Sequence, residues 1–392
     1  MSKHKKSWWK ITLGSLAAVS LVITGIVGFN LWQLSQTLES SAVEVYDLDG
    51  LAYEEPTEEE IEGPLNILVV GSDTRADQGA NYGDSTANLA DVIMLLHVNE
   101  ARDNAVVMSI PRDLMVPIPD CVSEEERSNL RFDDVMQINQ SLNLGGPSCV
   151  LDTVQSLTNI NIPHLGLIDF KGVIGMSEAI GGVEVCIANP IDDPKSKLYL
   201  EAGTQLLEGK QALGFLRTRY GVGDGSDLSR ISNQQVFLTS LVRKVMDEGV
   251  LTSPIRLYSL ATAAAENMRL SSSLTKLDTM VAMARQLNDV DLENISFLRL
   301  PVYDLDGDLA GRLGLAEGAD TVFDAMRNDD EMVISGGKLV DPNQPEPETT
   351  PAAEESSGSV ESAEPGSVDS DPAPPVTTNI DGVTAADELC SN

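Results

Sequence analysis

The chain has 392 residues, with 61 acidic against 26 basic side chains and a formal net charge of -35. That balance argues against a nucleic-acid binder, which needs a cationic face. Cys121, Cys149, Cys186 and Cys390 form no C-x-x-C pair and the three histidines are scattered, so a structural zinc site is not expected.

Residues 1–10 form a basic segment carrying Lys3, Lys5, Lys6 and Lys10. Residues 11–34 follow without a charged side chain, about the length of a helix that spans a bilayer. Trp8, Trp9 and Trp32 stand near its ends, as interfacial aromatics do. Lysines before the span and acids after it predict a single-pass cell-membrane protein with a cytoplasmic N-terminus and an extracytoplasmic bulk. The length of the run, with no small-x-small site after it, favours a retained anchor over a cleaved signal peptide. Residues 35–63 are rich in Glu and read as an acidic, solvated stalk.

A folded domain is expected over residues 64–330. Asn66–Val70, Val92–Val98, Ala105–Ile110, Val183–Ile187 and Ile295–Leu300 are short apolar runs of strand type. Helices are expected over Ser148–Thr158, Phe170–Ile180, from Gly209 toward Arg219, and over Ser229–Glu248, Pro254–Met268 and Leu274–Asn288. The Ser229–Glu248 helix carries an apolar stripe that includes Ile231, Leu238, Leu241, Val242 and Val245. Strands alternating with helices predict an α/β fold, a central sheet flanked by helices. Residues 335–392 are dominated by Pro, Glu, Ser, Thr, Asp and Ala, and read as a disordered acidic tail. Outside the cytoplasm a disulfide is expected, and Cys121–Cys149 closes one local loop. Cys186 would then be a small buried hydrophobe.

Four segments bear arginine beside strand ends or loops. Gly71-Ser-Asp-Thr-Arg75 follows a strand, where α/β folds place ligand contacts, and offers Asp73 and Arg75. Asp91 opens the next strand, and two carboxylates at adjacent strand ends suit a hard cation such as Mg²⁺ that takes its other ligands from phosphate. The bland readings are a turn cap for Asp73 and a solvated strand end for Asp91. Arg112 follows Ser109-Ile-Pro, and its bland reading is a surface ion pair. Arg217 and Arg219 alternate and share a face in extended chain, whereas Arg230 and Gln234 are four apart and share a helix face. Guanidinium forks suit bidentate phosphate contacts, so this cluster in an acidic chain reads as a phosphate or pyrophosphate grip.

Taken together the motifs resemble the LytR-CpsA-Psr family of bacterial envelope proteins. The matching pieces are the N-terminal anchor, Asn66-Ile-Leu-Val-Val-Gly-Ser-Asp, Asp91-Val-Ile-Met-Leu, Ser109-Ile-Pro-Arg-Asp, Gly181-Gly-Val-Glu-Val185, Gly209-Lys-Gln-Ala-Leu213, Arg217-Thr-Arg219 and Asp227-Leu-Ser-Arg-Ile-Ser-Asn-Gln-Gln235. The resemblance implies an α-β-α sandwich with a mixed central sheet and a hydrophobic pocket for a polyprenyl tail. It implies an enzyme that moves a glycopolymer with its linking phosphate from a polyprenyl pyrophosphate to a peptidoglycan sugar hydroxyl. It implies Mg²⁺, with Mn²⁺ as the alternative, on Asp73 and Asp91. The pyrophosphate set would be Arg75, Arg112, Arg217, Arg219, Arg230 and Gln234. Asp91, Arg112, Arg219 and Asp227 would be catalytic, Asp227 as base or structural anchor. Leu89-Ala90, Gln137 and Asn233 stand where the family often has Arg-Ser, Lys and Arg. The rival readings are hydrolysis of the same pyrophosphate lipid, or a non-catalytic lipid-binding or regulatory envelope protein.

Overall fold

The structure is a computed structural model, and it describes residues 20, 24–26, 28–43, 45, 63–73, 88–119, 121, 135–219, 227–330 and 382–391. Its centre is an eight-stranded sheet. Strand β2 (Leu65–Ser72) pairs antiparallel with β3 (Ala90–Val98), which pairs antiparallel with β4 (Ala105–Ile110). Strand β7 (His164–Ile168) lies parallel to β2 on one side, and β13 (Ile295–Arg299) lies parallel to β4 on the other. Beyond β7 come β12 (Met268–Ser271) and β1 (Ala42–Val43), and beyond β13 comes β16 (Gly382–Thr384). The sheet is therefore mixed, as expected. Between β4 and β7, Met115–Pro117 and Val135–Gln137 form the small pair β5 and β6. Strand β7, although short, is central, and its apolar run is not distinctive in the sequence.

Side-chain alternation gives each strand two faces. Leu68 and Val70, Ile93 and Leu95, Val106 and Met108 join one core with helix α2 (Ser141–Thr158). Helix α2 starts earlier than expected and bends at Gly146-Pro147. Gly146 has φ of +71°, a conformation that favours glycine, and proline cannot donate to the preceding turn. On the opposite face Leu65, Val98 and Ala105 join a second core with the helix over residues 28–41 (α1). Helices α3 (Phe170–Ala179), α4 (Gly209–Arg217), α5 (Asp227–Asp247), α6 (Pro254–Asn267) and α7 (Leu277–Asn288) fall within about three residues of expectation. Helix α8 (Ala319–Asn328) caps the first core with Val322 and Phe323. A second sheet carries β8 (Val183–Ile187) at its centre and β11 (Gly203–Leu207) antiparallel to it, with β9 (Ile191–Asp193) and β10 (Leu198–Leu200) as a hairpin nearby.

Three expectations are corrected. The stalk over 35–63 does not begin as a spacer: α1 runs to residue 41, Leu38 is fully buried, and β1 pairs with β12. Apolar residues at helical spacing, Leu34 and Leu38, anchor it to the core despite the acids further on. The tail over 335–392 is not disordered at its end. Val383 and Ala385 are buried, β16 adds to β13, and Cys390–Ser391 (β17) adds parallel to β8. Cys186 is not a lone thiol, because it is bonded to Cys390. The Cys121–Cys149 bridge is present as expected. The span over 11–34 lies largely outside the described residues, and among those described no helix is long and apolar enough to cross a membrane. Residues 46–62 and 331–381 also lie outside them.

Candidate active site

A cavity of about 680 Å³ opens between α5 and the second face of the main sheet. Val69, Val92, Met94 and Val107 form its floor, and Phe237, Leu238, Leu241, Val242 and Val245 of α5 form its roof. Much of the apolar stripe read from the sequence thus lines a cavity, while Leu238, Leu241 and Val242 also pack against the core clusters. At one end the lining turns polar: Asp91, Asp193, Arg217, Arg219, Arg230 and Gln234 converge there.

Local chemistry explains the placement of each. Asp91 lies in the β-bulge region where Ser72 pairs with Ala90 and Gly71 with Val92. Arg112 leaves β4 after Pro111 and donates from Nη1 to Asp91 Oδ1 at 2.5 Å. Arg230 is buried on the first turn of α5 and donates from Nη2 to the Asp91 carbonyl at 3.1 Å. Arg217 ends α4 with its guanidinium 4.2 Å from the Phe170 ring centroid, a cation–π stack that holds the charge at the start of α3. Gln234 donates from Nε2 to the Leu216 carbonyl at 3.2 Å and ties α5 to α4. Asp73 lies one residue beyond Ser72, which lines the cavity, and its Oδ1 accepts from Leu89 N at 3.1 Å.

Asp193 was not singled out in the sequence, where Asp192-Asp193-Pro194 reads as ordinary turn chemistry. Its fully buried carboxylate accepts from Thr218 Oγ1 at 2.7 Å, Ser196 Oγ at 2.9 Å, Lys195 N at 2.9 Å, Ser196 N at 3.2 Å and Arg219 N at 3.4 Å. Burial pushes the carboxyl up, and the donated hydrogen bonds, led by Thr218, outweigh it and take its pKa to about 2. Asp193 therefore stays ionised and fixes the Arg217-Thr218-Arg219 backbone.

Arg75 lies outside the described residues, as does the side chain of Asp227, whose backbone opens α5. None of Leu89, Ala90, Gln137 and Asn233, the departures from the resembled pattern, is among the residues that line the cavity. Ala90 is core, Gln137 Nε2 donates to Asp113 Oδ1 at 2.5 Å, and buried Asn233 accepts from Ser391 Oγ at 2.8 Å.

Among the described residues no three acidic, His or Cys side chains cluster to hold a metal. Asp73, one residue past the end of β2, and Asp91 of β3 carry the two carboxylates that a hard cation completed by phosphate oxygens and water would use.

The apolar chamber ends at three arginines, Arg230 buried and Arg217 and Arg219 partly exposed, an arrangement that suits a molecule apolar at one end and anionic at the other. The chain belongs to the LytR_cpsA_psr family, whose model matches residues 34–326. It is similar to the cell wall biosynthesis protein LcpA of Corynebacterium glutamicum, 30% identical over 271 residues, or 63% of this chain and 51% of that protein. The chain thus spans about half the length of LcpA. It is 26% identical to the polyisoprenyl-teichoic acid–peptidoglycan teichoic acid transferase TagU of Enterococcus faecalis over 269 residues, 69% of this chain and 80% of TagU. Its fold is similar to that of protein gbs0355 from Streptococcus agalactiae, with a TM-score of 0.56 and 22% identity over 70% of this chain and 91% of that one.

Proposed function

We propose that this protein transfers a glycopolymer with its linking phosphate from a polyprenyl-pyrophosphate donor to a sugar hydroxyl of peptidoglycan during cell-wall assembly. The observation that carries the reading is the cavity itself: an apolar chamber matched to a polyprenyl chain, ending in Arg217, Arg219 and Arg230. The names borne by TagU and LcpA support it.

The arginines neutralise the pyrophosphate and stabilise the charge that develops on the leaving polyprenyl phosphate. The acceptor hydroxyl oxygen forms a bond to the glycan-bearing phosphorus as the phosphoanhydride bond breaks. Its electron pair leaves on polyprenyl phosphate. A carboxylate of the site receives the hydroxyl proton, the role that the resemblance allows Asp227, while Asp91 is held by Arg112. Asp73 and Asp91 would hold Mg²⁺ or Mn²⁺, which when bound supplies further neutralisation of the phosphates. Arg75 and Asp227 remain part of the proposed set by resemblance alone. The uncharged 11–34 stretch anchors the chain in the cell membrane with the domain outside, and the tether raises the effective concentration of a lipid-linked donor.

The test is product analysis with purified donor lipid, divalent cation and peptidoglycan. Acceptor-dependent linkage is expected, and Arg219→Ala is expected to reduce it about 100-fold. Undiminished transfer by a folded Arg219→Ala variant would refute the site. Release of glycan phosphate at equal rate without acceptor would make the protein a hydrolase.

A further inference from the structure

Helices α1 and α6 lie side by side. Tyr258 Oη donates to the Asn30 carbonyl at 3.0 Å, and Leu34 and Leu38 share one buried cluster with Ala261 and Ala265. Positions 30, 34 and 38 against 258, 261 and 265 advance one turn per step on each helix, so the two run parallel. One turn further toward their starts, Ile255 falls level with residue 26. Large apolar side chains are exposed near the starts of both helices: Ile255 is 81% exposed, Ile26 58%, and Phe29 and Trp32 each 60%. Exposed apolar side chains gathered at one end of a molecule mark an interaction face.

The cavity leads to the same end of the molecule. From Arg230 at the polar end to Met246, α5 spans about 24 Å. Met246 and Leu251 line the apolar end, and both are partly exposed. Leu251 belongs to the short connection that delivers the chain to Pro254 and Ile255. Lys244 and Arg256 flank this connection, each 3.3 Å from Glu248, where cations suit a lipid headgroup layer.

We propose that the α5–α6 connection and the first turn of α6 rest in the bilayer surface beside the anchor helix, with Ile255 in the lipid. The cavity then opens at its apolar end onto the membrane, and the arginine end stands about 24 Å above it. The chain of a donor lipid whose headgroup sits at the arginines then runs down the cavity toward the bilayer instead of lying in water. The occupant of this face is lipid rather than a second protein, because the face continues the uncharged 11–34 stretch at matched height. The inference rests on the anchor reading.

All four cysteines are paired, so one introduced cysteine takes a label selectively. Full-length Ile255→Cys, labelled with an environment-sensitive nitrobenzoxadiazole, is reconstituted in phosphatidylglycerol–phosphatidylcholine vesicles. Tyr303→Cys, beyond the site-facing end of β13, serves as the water-exposed control. Label at 255 is expected to be quenched severalfold more by doxyl-lipid than by aqueous iodide, with the reverse at 303. Equal iodide quenching at both positions overturns the proposal, and so does shielding of 255 from both quenchers, which would point to a protein partner. Alkaline extraction of the same vesicles separates the two readings. A chain released by alkali loses the anchor, and this inference with it. A chain retained with position 255 in water loses this inference alone. Ile255→Asp is further expected to slow uptake of fluorescent polyprenyl phosphate from vesicles while leaving its binding from detergent micelles unchanged. Equal uptake by the variant and the parent protein counts against the proposal.

Discussion

Asp193 takes hydrogen bonds from both the turn that follows it and the Arg217–Arg219 segment, so one carboxylate sets the position of two site arginines. It is a positioning residue. Asp193→Asn keeps the shape but loses the charge, and is expected to cost about 1–3 kcal/mol of stability. It should lower turnover more than donor binding, read as a fall in kcat with a smaller change in KM. Because the folded pKa is depressed from 3.8 to about 2, this stabilisation is fully present above pH 3.8. It is lost as pH falls toward 2, so denaturation curves of the variant and the parent protein should converge there. His97 carries a second pH dependence. Its Nδ1 lies 2.8 Å from Asn66 Oδ1 and its Nε2 lies 3.1 Å from Asp329. Burial lowers its pKa below 6.5, and Asp329 opposes that only in part. The lowered pKa favours the neutral ring, so this contribution to stability is full above pH 6.5 and is lost as pH falls through the folded pKa. His97→Gln should flatten the dependence of the urea midpoint on pH below 6.5.

At the scale of elements, the returning C-terminal segment joins the two sheets. β16 extends the main sheet, β17 extends the small one, and Cys390 is bonded to Cys186 across 204 positions. Arg243 of α5 donates to the carbonyls of Ala385 and Asp387, and Asn233 accepts from Ser391. The segment thus holds the outer side of the helix whose inner side presents Arg230 and Gln234. Cys390→Ser is expected to lower the unfolding free energy by about 2–4 kcal/mol, measured by chemical denaturation. An unchanged midpoint would mean that the strand pairing suffices without the bridge. The strands and helices that carry the arginines were legible, because apolar periodicity and Gly or Pro stops are local signals. The C-terminal strands were not, because two or three residues in an acidic, Pro-rich context carry no period.

For the whole molecule, α1 packs onto the core without a spacer between them. Leu34 and Leu38 pack with Leu65, Val98 and Ala105, and β1 closes one edge of the main sheet. A fragment beginning at Leu65 would uncover that surface. It is expected to melt several degrees below one beginning at residue 28, measured by scanning calorimetry. Equal melting would show that α1 adds nothing to the fold. On the anchor reading, a junction without a spacer would hold the cavity at one height above the bilayer rather than letting it sample many.

Composition and periodicity by themselves determined an α/β protein, and the spacing of Arg112, Arg217, Arg219 and Arg230 marked the segments that line or adjoin the cavity. Those properties depend on neighbours within a few residues, or on charge that needs no partner to be recognised. Tertiary structure alone decided that much of the α5 stripe lines a cavity, that Asp193 anchors the arginine pair, and that Asn233 lies outside the cavity lining. It also decided that Cys186 meets Cys390. Each depends on chain segments that lie far apart in sequence and meet only when the sheet has been assembled, so no local pattern could announce them.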